Sequence, residues 1–526
     1  MKIFISLLLT IFLSFGVFVP LFAQDASKDP KPADDLNKQK KTESLDSQDK
    51  DGQNTRPPRS DLPFPVNESK RLSVRYVDNK KEGGFFTGLP LINSDPNVGI
   101  GYGVRVIYTN NGERKNPLFE YTPYRYQIFA QYFNTTKSAQ FHWARLDAPY
   151  IFDTQWRLRL DAIMDRNPNT LYFGFGEATL RNLSFKDYQA YGQPFVENAT
   201  FGQYEEGLRY RRPGIDPTYQ GMVTNYRYNR YDLETPNFNA SVERSFFGGV
   251  VRTVAGVRFS RQVIRTFEGQ FTQASGPFFA DNGLNNTLAQ SFGTSIFSNI
   301  PTQEGASKLR EDARAGVIRG TNGGYTNTLR LGLVYDTRDF EPNPNKGLFL
   351  EATHERAMKV MGSDYEFNRN YASARVFWSP FQGKVEQLVF AGRAAFVSTK
   401  GDAPFYEYRN MWSTDGQISG LGGRTTLRGY KQDRFIGPAM AYSNLEIRWK
   451  FWGIKTSGGS TFDFQLVPFF DIGRVWDKVQ DANLKNYKFS QGIGLRIPWN
   501  QSTIIYIDHA WSREDRQTFI NFMHIF

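Results

Sequence analysis

The chain has 526 residues, a formal net charge of +11, 16% aromatic residues, 46 glycines and no cysteine. The missing cysteines exclude disulfides, thiolate catalysis and cysteine-ligated metal centres. A negative mean hydropathy of -0.52 beside so many aromatics is odd for a soluble enzyme and fits a sheet with one greasy face and one wet face. The arginines are dispersed singly along strand-like runs, not clustered on a helix, and no nucleic-acid motif appears, so the positive charge does not point to nucleic acid. Arginines facing a wet lumen or lipopolysaccharide give the same total.

Lys2 followed by the apolar run Ile3 to Leu21 and by Leu21-Phe22-Ala23 predicts a signal peptide over residues 1–23, cut after Ala23. No later stretch has the apolar length of a transmembrane helix. From Gln24 Asp, Lys, Gln, Ser and Pro dominate, and large apolar residues nearly vanish. Such a segment cannot bury enough surface to offset its ordering entropy, so residues 24–68 are expected to be a disordered periplasmic linker and residues 69–526 a barrel.

Pro96 to Val106 alternates strictly. Val98, Ile100, Tyr102, Val104 and Val106 form one face; Gly99, Gly101, Gly103 and Arg105 form the other. Period two with a wholly apolar face predicts a strand against lipid. Taken as the first strand, its glycine row makes a poor clamp for the last one. Similar alternation runs through Trp156 to Ala162, Leu329 to Tyr335 and Asn444 to Phe451. Short connections rich in Pro, Asn and Gly, such as Asp339 to Gly347, contrast with long ones such as Asp187 to Asn225 and Gly269 to Gly324. Short turns at one end and long loops at the other predict an all-β antiparallel transmembrane barrel of about 16 strands in the outer membrane of a diderm bacterium. The alternation of Ile520, Phe522, His524 and Phe526 places the terminal Phe526 on the last strand, beside the seam.

Gly420 to Tyr430 reads Gly-Leu-Gly-Gly-Arg-Thr-Thr-Leu-Arg-Gly-Tyr, in a long irregular segment between two strands. The ending Arg428-Gly429-Tyr430 suits insertion and clamping rather than a surface loop. Downstream, Phe462, Phe464, Leu466, Pro468 and Phe470 face lipid, while Phe469, Asp471 and Gly473 face the lumen. On the next run Gly492, Gly494 and Arg496 face inward and leave a groove where a loop could lie. Arg428 reaching Asp471 there would form a charge-assisted, bidentate pair.

Leu427-Arg428-Gly429-Tyr430 resembles the loop motif of the BamA and TamA outer-membrane assembly superfamily, which includes the two-partner secretion transporters. Phe469-x-Asp471-x-Gly473 is similar to the strand motif that holds that loop. Asp336-Thr337-Arg338-Asp339 with Pro342 and Gly347, and Gly492-x-Gly494-x-Arg496, are similar to further family stretches. The resemblance implies a 16-stranded barrel with its sixth outer loop tucked inside and weakly paired first and last strands. Client polypeptides would enter the membrane through that seam or cross the lumen. Family members carry polypeptide-transport-associated domains before the barrel, for which residues 24–66 are too short and too polar, so client capture would need a separate periplasmic partner or the tether, or there is no client. Further expected partners are outer-membrane lipid, lipopolysaccharide and the barrel assembly machinery that inserts the chain. The alternatives are a passive or ligand-specific channel, which requires an open lumen, and a surface antigen. His142, His354, His509 and His524 sit in no catalytic motif; neither an enzyme, a metal nor a cofactor is expected.

Overall fold

The computed structural model describes residues 56–526 except 73, 188–193, 210–211, 214–221, 273–301, 340, 342, 382–387, 457–460, 500–502 and 523. The expected signal peptide and the linker as far as residue 55 lie outside the described residues, as does Pro342.

Sixteen long strands close into one antiparallel wall. They are β1 Gly84–Asp95, β2 Gly99–Asn110, β3 Tyr126–Thr135, β4 Gln140–Ala148, β5 Trp156–Leu171 and β6 Arg230–Phe246. Next come β7 Val251–Thr266, β8 Thr328–Asp336, β9 Gly347–Ala357, β10 Phe367–Trp378 and β11 Leu388–Gly401. The wall ends with β12 Ala439–Lys455, β13 Thr461–Trp476, β14 Lys488–Trp499, β15 Thr503–Trp511 and β16 Arg516–Phe522. Alternation decides which way each residue points. On β8, Leu329, Leu331, Leu333 and Tyr335 are exposed on the outside while Arg330 is buried inside. On β12, Leu445, Ile447 and Trp449 point out; Asn444, Glu446 and Arg448 are buried. Greasy side chains outside and buried charges inside invert the order of a water-soluble protein and match a wall set in lipid.

The first strand is β1, not the run from Pro96. β2 carries Gly99, Gly101 and Gly103 and pairs along its whole length with β1, from Gly84 opposite Asn110 to Asp95 opposite Gly99. The glycines therefore lie one strand away from the seam. Their use is steric: a Cβ on Gly101 would meet the Phe133 ring at 2.1 Å, and one on Gly103 would meet the Tyr132 carbonyl oxygen at 2.1 Å. The seam itself is weak. Among the described residues β1 and β16 share one register pair, Ser94 opposite Ile520.

The lumen is not an open pore. The connection between β11 and β12, residues 402–438, is the sixth on the long-loop side and folds back into the barrel. Met411, Ile418, Leu421, Leu427, Tyr430 and Phe435 from it pack on Tyr371, Val397, Tyr442 and Val475 of the wall to form a buried cluster. Its small hairpin, Asn410–Ser413 with Gly416–Ser419, hangs toward the short-turn end. There Ser413 Oγ and the Thr414 N–H donate to Glu351 at 2.9 and 3.0 Å.

A segment before β1 lines the short-turn rim. Residues 56–72, expected as far as 68 to hang free, form a strap anchored to the turns. Arg56, Arg59 and Arg71 converge on Glu120 at 3.0, 2.9 and 2.7 Å. The Phe64 ring meets Tyr150 at 5.2 Å, and the Asn67 N–H donates to the Gly248 carbonyl at 2.9 Å. Lys70 Nζ lies 3.5 Å from Asp336. A composition dominated by Asp, Lys, Gln, Ser and Pro reads as solvated linker by sequence alone, but here its few arginines meet a carboxylate on the rim.

Candidate functional site

A turn at Gly422 and Gly423, with φ of +114° and +77°, lets the sixth loop reverse. A side chain at Gly422 would also strike the Lys431 carbonyl oxygen at 2.0 Å. The reversal delivers Arg428 to the inner wall, fully buried. Its Nε and Nη2 donate to Asp471 Oδ2 and Oδ1 at 2.9 and 2.7 Å, and its own N–H donates to Oδ2 at 3.1 Å. The remaining Nη1 donates to Glu446 at 2.8 Å and to Asp508 at 3.0 Å. The guanidinium stacks on the Phe469 ring, 3.4 Å from its centroid, which adds a cation–π contact in a dry setting.

Arg496 and Arg448 complete the cluster. Arg496 Nη2 donates to Asp508 at 3.1 Å and to Glu446 at 3.3 Å. Arg448 Nε donates to Glu446 at 2.9 Å. Arg428, Arg448 and Arg496 thus face Glu446, Asp471 and Asp508, and all six are buried. The equal count matters because a buried unpaired charge is costly. Asn444 Nδ2 bridges the two sides of the latch, donating to Asp471 at 2.7 Å and to the Thr426 carbonyl at 2.6 Å.

The wall glycines serve this cluster by being small. A Cβ on Gly492 would sit 2.3 Å from the Phe469 ring, and one on Gly494 would meet Asp508 and Arg496. A Cβ on Gly473 would meet Leu427 at 2.8 Å. Gly429 itself lies on β15, where an added Cβ would stand 2.6 Å from the Trp511 carbonyl carbon and 2.7 Å from Ser490 Cβ. Gly429→Ala is therefore expected to lift the loop although every charge remains. Faster proteolysis within residues 402–438, with barrel mobility on gels unchanged, is the measurement; unchanged proteolysis would show that β15 gives way.

The loop also grips the last hairpin. Ser512 Oγ donates to the Gly429 carbonyl at 2.8 Å, Arg434 pairs with Glu514 at 2.7 Å, and Lys431 with Asp515 at 3.1 Å. Tyr430 is buried against Phe435, ring centroids 5.1 Å apart. The latch therefore holds β15 and β16, one side of the seam.

Phe526 lies elsewhere than expected. β16 ends at Phe522, and Phe526 is buried inside the lumen beside Phe377, ring centroids 6.3 Å apart. The Arg393 and Arg448 guanidiniums lie 5.0 and 5.3 Å from its ring, and Arg393 donates to the Ile525 carbonyl at 3.2 Å. Buried arginines with acceptors to satisfy draw the tail inward, against the alternation that would extend it along the wall.

Sequence reasoning named Asp471 and Arg496 for this cluster but not the roles of Glu446 and Asp508. Asp508 carried a signal: it is a lone carboxylate after the apolar run Ile504-Ile505-Tyr506-Ile507. The histidines stay outside the cluster's bonds; His142 stacks on Tyr132 and His354 meets Asn370. Asp336 bonds Arg338 and Arg252 at the turn after β8, at 3.0 and 3.1 Å. Among the described residues no group of three or more acidic or histidine side chains could hold a metal ion.

Residues 134–517 match the Omp85 superfamily domain, and residues 62–125 match a domain of unknown function, DUF5982. No curated protein matches the chain. Among solved structures it is similar to BamA from Haemophilus ducreyi lacking POTRA domains 1-3, at 12% identity and TM-score 0.46, over 84% of this chain and 70% of that one. It is also similar to CdiB from Escherichia coli, at 9% identity and TM-score 0.44, over 84% of this chain and 63% of that one. For CdiB from Acinetobacter baumannii the values are 10% and 0.39, over 84% and 60%.

Proposed function

The chain belongs to the Omp85 superfamily, and from that premise we propose that it inserts polypeptides into the outer membrane through the gap between β1 and β16. One observation carries the reading. β1 is fully paired to β2 on one edge, but on the other, among the described residues, it shares one register pair with β16, Ser94 opposite Ile520. β16 stops two residues later, at Phe522, so by that register the edge from Gly84 to Leu91 faces no described strand. Backbone donors and acceptors left bare in lipid are costly, and an incoming strand would satisfy them.

The filled lumen supports a sideways route over a passage along the axis. A diffusion channel requires a clear bore, whereas here the sixth loop occupies it. The latch is the proposed control element, since it holds the last hairpin at the seam. The long loops face the outside, where lipopolysaccharide surrounds them, and the strap lies in the periplasm, where a separate partner would deliver clients.

Quantitative mass spectrometry of outer membranes from cells lacking the protein tests this reading. A defined set of barrel or surface proteins should fall several-fold and return on complementation. An unchanged outer-membrane proteome would overturn it.

A further inference from the structure

The open edge of β1 poses a physical problem. A strand bound on one side alone frays, and a frayed strand is no template for pairing. Among the described residues β16 supplies one register pair, at the upper end of β1, so something else must fix the lower end. The segment just before it is the place to look, because β1 begins four residues after Lys80.

Lys80 is buried, with 5% of its surface exposed. Its ammonium donates to the carbonyls of Phe119 and Thr122, both at 2.7 Å, and lies 4.1 Å from the centroid of the Phe119 ring. These acceptors belong to the turn between β2 and β3, whose Leu118 and Phe119 are themselves buried. Arg114 of the same turn grips the other side of the segment. Its guanidinium donates to the carbonyls of Val77, Asp78 and Lys80 at 3.2, 3.2 and 2.8 Å. The Arg114 N–H donates to Glu82 at 2.8 Å, and Gly83 exchanges backbone bonds with Gly112 and Asn111 at 2.9 and 3.0 Å.

We infer that Lys80 and Arg114 form a clamp that positions β1, holding its free edge in register for an incoming strand. Both are positioning residues: neither faces the seam, and each acts through the backbone it fixes. The inference rests on the seam reading above, but its structural half stands by itself. It also gives the segment matched by the domain of unknown function, residues 62–125, a role as one unit: strap, seam strand, supporting strand and clamping turn.

The clamp has a built-in dependence on pH. Burial, and then the nearby positive charges of Arg125 and Arg114, lower the Lys80 ammonium to about 7. Of the facing groups, Arg125 is paired with Asp153 and Arg114 is held by carbonyls, while Glu82 takes the Arg114 N–H. The unfolded segment keeps its proton up to about 10.4, so between those values the folded state binds fewer protons. The clamp therefore tightens as pH rises above about 7 and is weakest below it.

Hydrogen exchange of the full-length protein in lipid nanodiscs tests the clamp. In Lys80→Met at pH 8.5, exchange of the β1 amides should rise about tenfold while β9 to β12 stay protected, and Lys80→Arg, charged throughout, should leave β1 about as loose at pH 8.5 as the wild type is at pH 6. In the wild type, β1 exchange corrected for its intrinsic rate should slow by about thirtyfold from pH 6 to pH 8.5, one tenfold step per unit above the midpoint; Lys80→Met should lose that slowing. Unchanged β1 exchange in Lys80→Met, or equal acceleration of every strand, would overturn the inference. Client insertion, measured in parallel, should fall with β1 protection. If the wild type inserts no client while β1 still loosens in the variant, the seam reading fails and the clamp stands.

Discussion

Arg428→Ala is expected to yield a folded barrel whose sixth loop no longer stays in the lumen. The sixteen strands are held by their own ladders, none of which involves this side chain. The loop, by contrast, depends on it. Removing the guanidinium takes two donors from Asp471, leaving it the Asn444 amide, and one each from Glu446 and Asp508. Two buried arginines then face three buried carboxylates. Breaking a buried pair from one side costs about 3–5 kcal/mol, because it strands the remaining charge. Loop docking should weaken by roughly that amount, which is enough to populate the released state. Limited proteolysis should cut within residues 402–438 in the variant and spare the wild type, with heat-modifiable gel mobility retained in both. Client insertion should be lost in the same folded protein. A cut loop with insertion intact would leave Arg428 as a fastening without a part in the activity. Arg428→Lys should fall between, keeping the charge but not the two-pronged contact with Asp471.

Closing the seam covalently should abolish insertion outright. The chain has no cysteine, so a Ser94→Cys/Ile520→Cys pair would be free of competing thiols. The two positions are register partners, and directly opposed Cα atoms stand about 4.5–5.5 Å apart, within disulfide reach. Under oxidation β1 and β16 cannot separate, and a client strand has no edge to join. Reduction should restore insertion to the level of the single variants. Equal insertion by oxidised and reduced protein would exclude the lateral route and shift weight to the lumen, where Arg428→Ala would then raise passage instead of lowering insertion.

Much of this architecture could be read from residue order because period two is a strong signal when the two faces differ. Leu445, Ile447 and Trp449 against Glu446 and Arg448 leave little freedom in which side meets lipid. Strand character begins after Gly83, but β1 could not be told apart as the first strand because its faces do not differ. Phe85, Phe86, Leu89, Leu91 and Ile92 are spread over both, and Pro90 has no N–H to give to a ladder. Such a strand is suited to an edge, but it carries no alternation to find. The pairing of Arg428 with Asp471 was legible since a wall position has only two directions and a glycine groove lay beside it. The rest of the cluster was not, because alternation says which way a residue points and nothing about which strands stand across the lumen. The tail misled for a related reason: its alternation continues to Phe526, while the arginines that draw it inside belong to β11 and β12.

The partners of Arg428 also set a timetable. Asp471 lies 43 residues downstream and Asp508 lies 80. The sixth loop therefore cannot come to rest until β13, β14 and β15 have joined the growing sheet. The seam contact, between Ser94 and Ile520, spans almost the whole chain and must form last. Contacts so distant along the chain are slow to make. The chain's own maturation thus passes through a stage in which both edges are bare and the lumen is unfilled, and the settling of Arg428 marks the end of that stage. A time-resolved refolding experiment would see protection of residues 402–438 appear after the ladders of β9 to β12, and together with those of β13 to β15.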